Sequence, residues 1–150
     1  EGAKAMHHIP VVAIKQVRVS SWIHPVKFVR RVKDAATLLQ SLIGDADREH
    51  FVILLMDTKN QIVGIQTVST GTLNQALVHP REVFKAAILA NASGIICAHN
   101  HPSGVLEPSI EDLTVTKRLV EAGELIGIEV MDHIIVSEDS YHSMREYGQM

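Results

Sequence analysis

An α/β domain, built in α+β fashion as a sheet covered by helices, is predicted by three features of the chain. Apolar β-branched runs alternate with stretches of helical periodicity, and the runs are separated by Gly-, Pro- and Asn-containing turns. No repeat, low-complexity tract or long linker interrupts that order, so its 150 residues read as one layered domain. At 46% hydrophobic and 21% charged the composition is that of an ordinary globular chain rather than a disordered one, and a chain of this length buries roughly 70% of its unfolded surface without staples.

The elements follow in order. The first residues carry a candidate strand, Val11 to Val19, and the terminal pair His7 and His8 is discounted. Lys27, Arg30, Arg31 and Lys33 form a small basic cluster, read as a solvated face because the chain as a whole has a net charge of −3. Asp34 suits the cap of a helix running to about Leu42, with Ala35, Leu38, Leu39 and Leu42 at helical spacing. Phe51 to Met56 and Gln61 to Ser69 are apolar and β-branched runs joined by Asp57 to Asn60, the pattern of a hairpin. Pro80 fits the first turn of a second helix whose buried stripe is Val83, Phe84, Ala87 and Ile88. Gly94 to Ala98 is too short for a helix and reads as a buried strand. A loop with Pro102, Gly104 and Pro108 leads to Ser109 and a helix to about Leu125, and after Gly127 the run Glu129 to Val136 completes the sheet.

Several classes drop out at this level. A single cysteine, Cys97, cannot form an internal disulfide or a thiolate zinc site, so any metal must be held by His and carboxylate. The zinc deaminase pattern, which needs His-x-Glu and Pro-Cys-x-x-Cys, is excluded for the same reason. Neither a His-Glu-x-x-His helix nor a His-x-His-x-Asp-His run is present. Apolar runs such as Phe51 to Met56 fall far short of the ~20 residues that span a bilayer, and no charged leader with a cleavage site is evident. The expectation is a cytoplasmic protein with no membrane partner and no nucleic-acid partner, with its oligomeric state open. The chain begins at Glu1 rather than Met, which leaves open whether a leader or a domain precedes it.

Nine histidines are the unusual count, and position separates them. His99 and His101 flank Asn100 at the end of the Gly94 to Ala98 strand. Residues two apart on a strand share a face with Cα atoms about 7 Å apart, so both imidazoles can converge on one cation. Asp112, in the first turn of the helix that Ser109 opens, is the candidate third ligand; two His and one Asp leave a fourth position for water, as catalytic zinc sites do. Ser109 and Asp112 also spell a capping box, a competing use for the carboxylate. Asp132 and His133 are candidates for orienting a ligand ring. His24 and His142 read as surface residues, His79 as a neighbour of a helix start, and Cys97 as packed and inert.

His99-x-His101, seven intervening residues, then Ser109-x-x-Asp112 resembles the JAMM metal-binding signature of the JAB1/MPN metallopeptidases. His79-Pro-Arg-Glu-Val-Phe84, Ala98-His-Asn-His-Pro-Ser-Gly104, Asp132-His133-Ile134 and Gly71-Thr72-Leu73 are similar to the RadC branch of that family. The resemblance implies a JAB1/MPN, cytidine-deaminase-like architecture, a mixed β-sheet flanked by helices, over residues 26–150, with 1–25 as an N-terminal extension. It implies Zn²⁺ on His99, His101 and Asp112, Ser109 supporting the substrate carbonyl, and an upstream Glu as general base, whose place Glu49 occupies. The expected activity is zinc-dependent hydrolysis of an amide bond in a peptide or protein, by a metallopeptidase or isopeptidase. A non-catalytic MPN interaction module and a DNA-repair-associated protein are the alternatives. Val105 and Leu106 stand where RadC-like chains often carry an acidic residue, and nothing before residue 26 resembles the DNA-binding helical region of longer relatives.

Overall fold

The computed structural model describes residues 4–72 and 78–150, so Leu73 of the Gly71-Thr72-Leu73 segment lies outside the described residues. The elements run α1 (Val32–Ile43), β1 (His50–Met56), β2 (Ile62–Thr70), α2 (Pro80–Leu89), β3 (Gly94–Asn100), α3 (Ile110–Ile126), β4 (Glu129–Val136) and β5 (Tyr141–Ser143). The strands form one mixed sheet in the order β2-β1-β3-β4-β5. β3 and β4 are parallel, joined through α3 as a parallel pair requires, and the other neighbours are antiparallel.

Side-chain alternation along β1 and β3 divides the core in two. Phe51, Ile53 and Leu55 of β1 with Ile95 and Cys97 of β3 face α2 and α3, meeting Val83, Phe84, Val115 and Leu119. Val52, Leu54 and Met56 with Ile96 and Ala98 face α1, meeting Ala35, Ala36, Leu39 and Ile43. The sheet is therefore the middle layer of three, and β3, covered on both faces, is buried along its whole length.

Four local expectations are corrected. The run Val11 to Val19 is not a strand: it lies exposed without regular structure. Among the described residues, the chain before α1 pairs beside β2 at the bridge Phe28 to Gln61, where Ile62 N–H donates to Lys27 O and Val29 N–H to Asn60 O. Extending that register backwards puts Pro25 where the ladder needs an N–H, which proline lacks. Asp34 is not the residue that begins α1. The helix starts two residues earlier, and Asp34 sits in its first turn with Oδ2 accepting from the N–H groups of Arg30 and Arg31. Ile88 falls outside the buried stripe of α2 and is 51% exposed, because α2 closes on the sheet through Val83, Phe84 and Ala87. His24 and His142, expected at the surface, are both half-buried: His24 Nδ1 accepts from Val26 N–H, and His142 stacks on Tyr147.

One irregularity determines what reaches the site. Ile95 pairs with Val130 but Ile96 pairs with Asp132, so Met131 is an extra residue in β4. A one-residue insertion exchanges the two faces of everything that follows. It places His133 beside Cys97, on the α3 face, and turns Asp132 the other way.

Candidate metal centre

His99 continues the α3-facing row of β3 and stacks on Phe51 with ring centroids 6.4 Å apart. His101 lies one residue beyond the strand, yet its N–H still donates to Val136 O at 3.2 Å, so the ladder persists long enough to set both imidazoles on one side. Their Nε2 atoms are 2.9 Å apart. The loop then returns the chain to the N-terminus of α3, which delivers Asp112. Its Oδ1 lies 3.3 Å from His99 Nε2 and its Oδ2 lies 3.3 Å from His101 Nε2. The three ligand atoms all lie within 4.8 Å of one another, and His99 and Asp112 are buried.

The donor set fits a zinc-like ion. Two imidazoles and a carboxylate suit a borderline cation, and a tetrahedral ion with bonds of ~2.0 Å holds its ligand atoms about 3.3 Å apart. His101 Nδ1 donates to Val105 O at 2.6 Å, which turns its Nε2 into the cluster. Two nitrogens and a carboxylate at such distances call for positive charge between them. The Asp112 carboxylate, against the opposing effect of burial and with smaller help from Val105 O and the Glu49 charge, raises His101 above the ordinary imidazole range. Burial pushes Asp112 up, but the hydrogen bonds to His101 and His99 and from the Ser109 N–H outweigh it and hold the carboxyl well below its usual range.

The capping box and the cluster share the Asp112 carboxylate. Ser109 N–H donates to Oδ2 at 2.8 Å and Asp112 N–H donates to Ser109 Oγ at 3.0 Å, a complete capping box, while Oδ1 remains directed at His99. The cap fixes the carboxylate rather than withdrawing it. Ser109 itself is exposed beside the cluster, and Glu49, half-buried, immediately precedes β1, its carbonyl accepting from Gly71 N–H at 2.7 Å.

Asp132 and His133 do not act as a pair. Asp132 accepts from Ser143 Oγ at 2.6 Å and from the N–H groups of His133 and Arg145, tying β4 to β5 away from the cluster. His133 alone reaches it, with Nε2 at 2.7 Å from His99 Nδ1 and Nδ1 against the Thr116 hydroxyl. Burial above all pushes His133 well below the ordinary imidazole range. His79 caps α2, with Nδ1 accepting from Arg81 N–H at 3.0 Å.

Two residues were missed from sequence. Asn100, fully buried, accepts from His50 N–H at 2.7 Å and donates to Arg48 O at 2.8 Å, so it clamps the backbone on both sides of Glu49 to β3. Its signal was an amide set between the two histidines at the end of an apolar strand. Thr116 sits one helical turn after Asp112, the spacing that places two residues on one face.

A family model described as the RadC-like JAB domain matches residues 29–149. Among similar curated proteins, a UPF0758 protein of Rubrobacter xylanophilus is 56% identical over 117 residues, 78% of this chain and 51% of that protein. One of Desulforamulus reducens is 50% identical over 120 residues, 80% of this chain and 53% of its own. Another, of Bacillus cereus, is 50% identical over 122 residues, 81% and 54%. The chain thus spans about half the length of the curated relatives it matches.

Proposed function

The chain belongs to the RadC-like JAB domain family, and from that membership and the geometry of the cluster we propose that it is a zinc-dependent hydrolase acting on an amide bond of a peptide or protein substrate. The observation that carries this reading is the convergence of His99 and His101 from the end of β3 with Asp112 from the start of α3. Those three residues would hold the ion. When bound, zinc supplies a Lewis acid that polarises a carbonyl and lowers the pKa of water towards ~7.

The remaining chemistry belongs to the chain. Glu49, close enough for its charge to act on His101, takes a proton from the attacking water and passes it to the departing amine. Asn100 holds the backbone on either side of Glu49 to the strand that carries His99, which keeps base and ligands in register. The Ser109 oxygen accepts from Asp112 N–H, so the hydroxyl hydrogen is left to donate to the substrate oxygen as negative charge develops there. His101 is held in place through its hydrogen bond to Val105 O.

Incubation of the zinc-loaded chain with a mixed peptide library, read by mass spectrometry, tests the proposal. New cleavage products that disappear with a chelator are expected, and Glu49→Gln lowers their rate by about 10²-fold or more. Products unaffected by the chelator, or a Glu49→Gln variant as active as the wild type, contradict it.

A further inference from the structure

We propose that Thr116 and His133 form a relay that fixes the tautomer of His99, so that its Nε2 lone pair is committed to the metal cluster; His133 is a positioning residue acting through His99. The inference rests on the metal reading of that cluster. It comes from counting donors along one buried chain of contacts.

The Thr116 hydroxyl has a single hydrogen, and it goes to Asp112 O at 2.7 Å, one helical turn earlier. Met144 Sδ, 3.6 Å away, is a weaker acceptor. The Thr116 oxygen therefore accepts at its contact with His133, and His133 Nδ1 must carry the hydrogen. His133 is wholly buried, and its ring hydrogen bonds run to Thr116 and His99, neither of them an anion. A second proton would make it a buried cation with no counter-charge in contact. Its Nε2 is thus an acceptor, and at 2.7 Å from it His99 Nδ1 is the donor. What remains on His99 is a lone pair at Nε2, facing His101 and Asp112.

The relay links the three elements of the site. It starts at the backbone of the ligand Asp112 on α3, crosses His133 on β4 and ends at the ligand His99 on β3. His101 receives the equivalent service from Val105 O. The extra residue Met131 in β4 is what brings His133 rather than Asp132 into line.

The test uses the full chain, zinc ion alone as the probe in competition with a chromophoric chelator, and nitrogen-15 imidazole spectra of the metal-free protein at mildly alkaline pH. Zinc affinity is expected to fall about 10- to 100-fold in His133→Phe and in Thr116→Val. His133→Gln, which keeps an acceptor towards His99 and a donor towards Thr116, and Thr116→Ser recover most of the loss. The metal-free wild type should show His99 with hydrogen on Nδ1, and Thr116→Val should lose that preference. Wild-type affinity in a folded His133→Phe, or hydrogen on His99 Nε2 in the wild type, overturns the relay. If His133→Phe does not fold, Thr116→Val against Thr116→Ser decides by the same criterion. A wild type that binds no zinc overturns the metal reading instead, and the spectra still judge the relay.

Discussion

Asp112 joins two structures with one carboxylate, the cap of α3 and the candidate metal cluster. Oδ2 closes the capping box with Ser109 and also faces His101, while Oδ1 faces His99. Sequence spacing exposed both roles but not their compatibility, because that depends on the carboxylate's rotation, which only the packed loop and helix determine. Asn100 is the converse case, a residue with an unobtrusive sequence signal and a large structural load. Replacing it by Ala leaves the His50 N–H and Arg48 carbonyl without their partner, and Asn100→Ala is expected to cost about 1 to 3 kcal/mol in urea unfolding. A variant of wild-type stability would deny the clamp. Cys97, completely buried, has its thiol pushed far up by burial, with a smaller contribution from Asp132. Since the thiolate is the reactive form, iodoacetamide should leave the native chain unmodified near neutral pH and label it fully once unfolded. Labelling of the native chain at the unfolded rate would contradict its burial.

Among the elements, those with strong periodicity were legible and those set by pairing were not. The apolar run of β1, the hairpin to β2, the buried β3 and the helix opened by Ser109 were all evident in the pattern of residues. β5 was not, being only three residues long at the edge of the sheet, where its place comes from pairing with β4 rather than from its own composition. The bulge at Met131 was equally hidden, since register is a property of two strands, and with it went the correct reading of which face Asp132 and His133 each take. Val11 to Val19 failed in the other sense: the composition suited a strand, but among the described residues no strand pairs with it. At the start of α1, Asp34 acts from within the first turn on two N–H groups. Asp34→Ala should therefore lower stability by about 1 kcal/mol, and Asp34→Asn by less, in the same unfolding measurement. Equal stability of all three chains would show that the contact contributes nothing.

At the scale of the molecule, a sheet between two helical layers serves as a frame for one cluster. β3 is buried on both sides, so its end is among the most constrained backbone in the chain, and His99 and Asn100 are placed there. α3 connects β3 to β4, which obliges its N-terminus to lie near the same strand ends, and there it presents Asp112. No helix among the described residues is long and apolar enough to cross a membrane. The three-residue candidate cluster was legible because local spacing carries it, whereas Asn100, Thr116 and His133, which contact its residues or the backbone beside them, come from separate elements and converge only in the folded chain. Zinc content of the chain purified without added metal is the most direct check on the central claim. Wild type should retain a single zinc ion per chain, and His99→Ala and Asp112→Ala should retain almost none while staying folded; a zinc-free wild type, or folded variants that keep their zinc, would contradict the account.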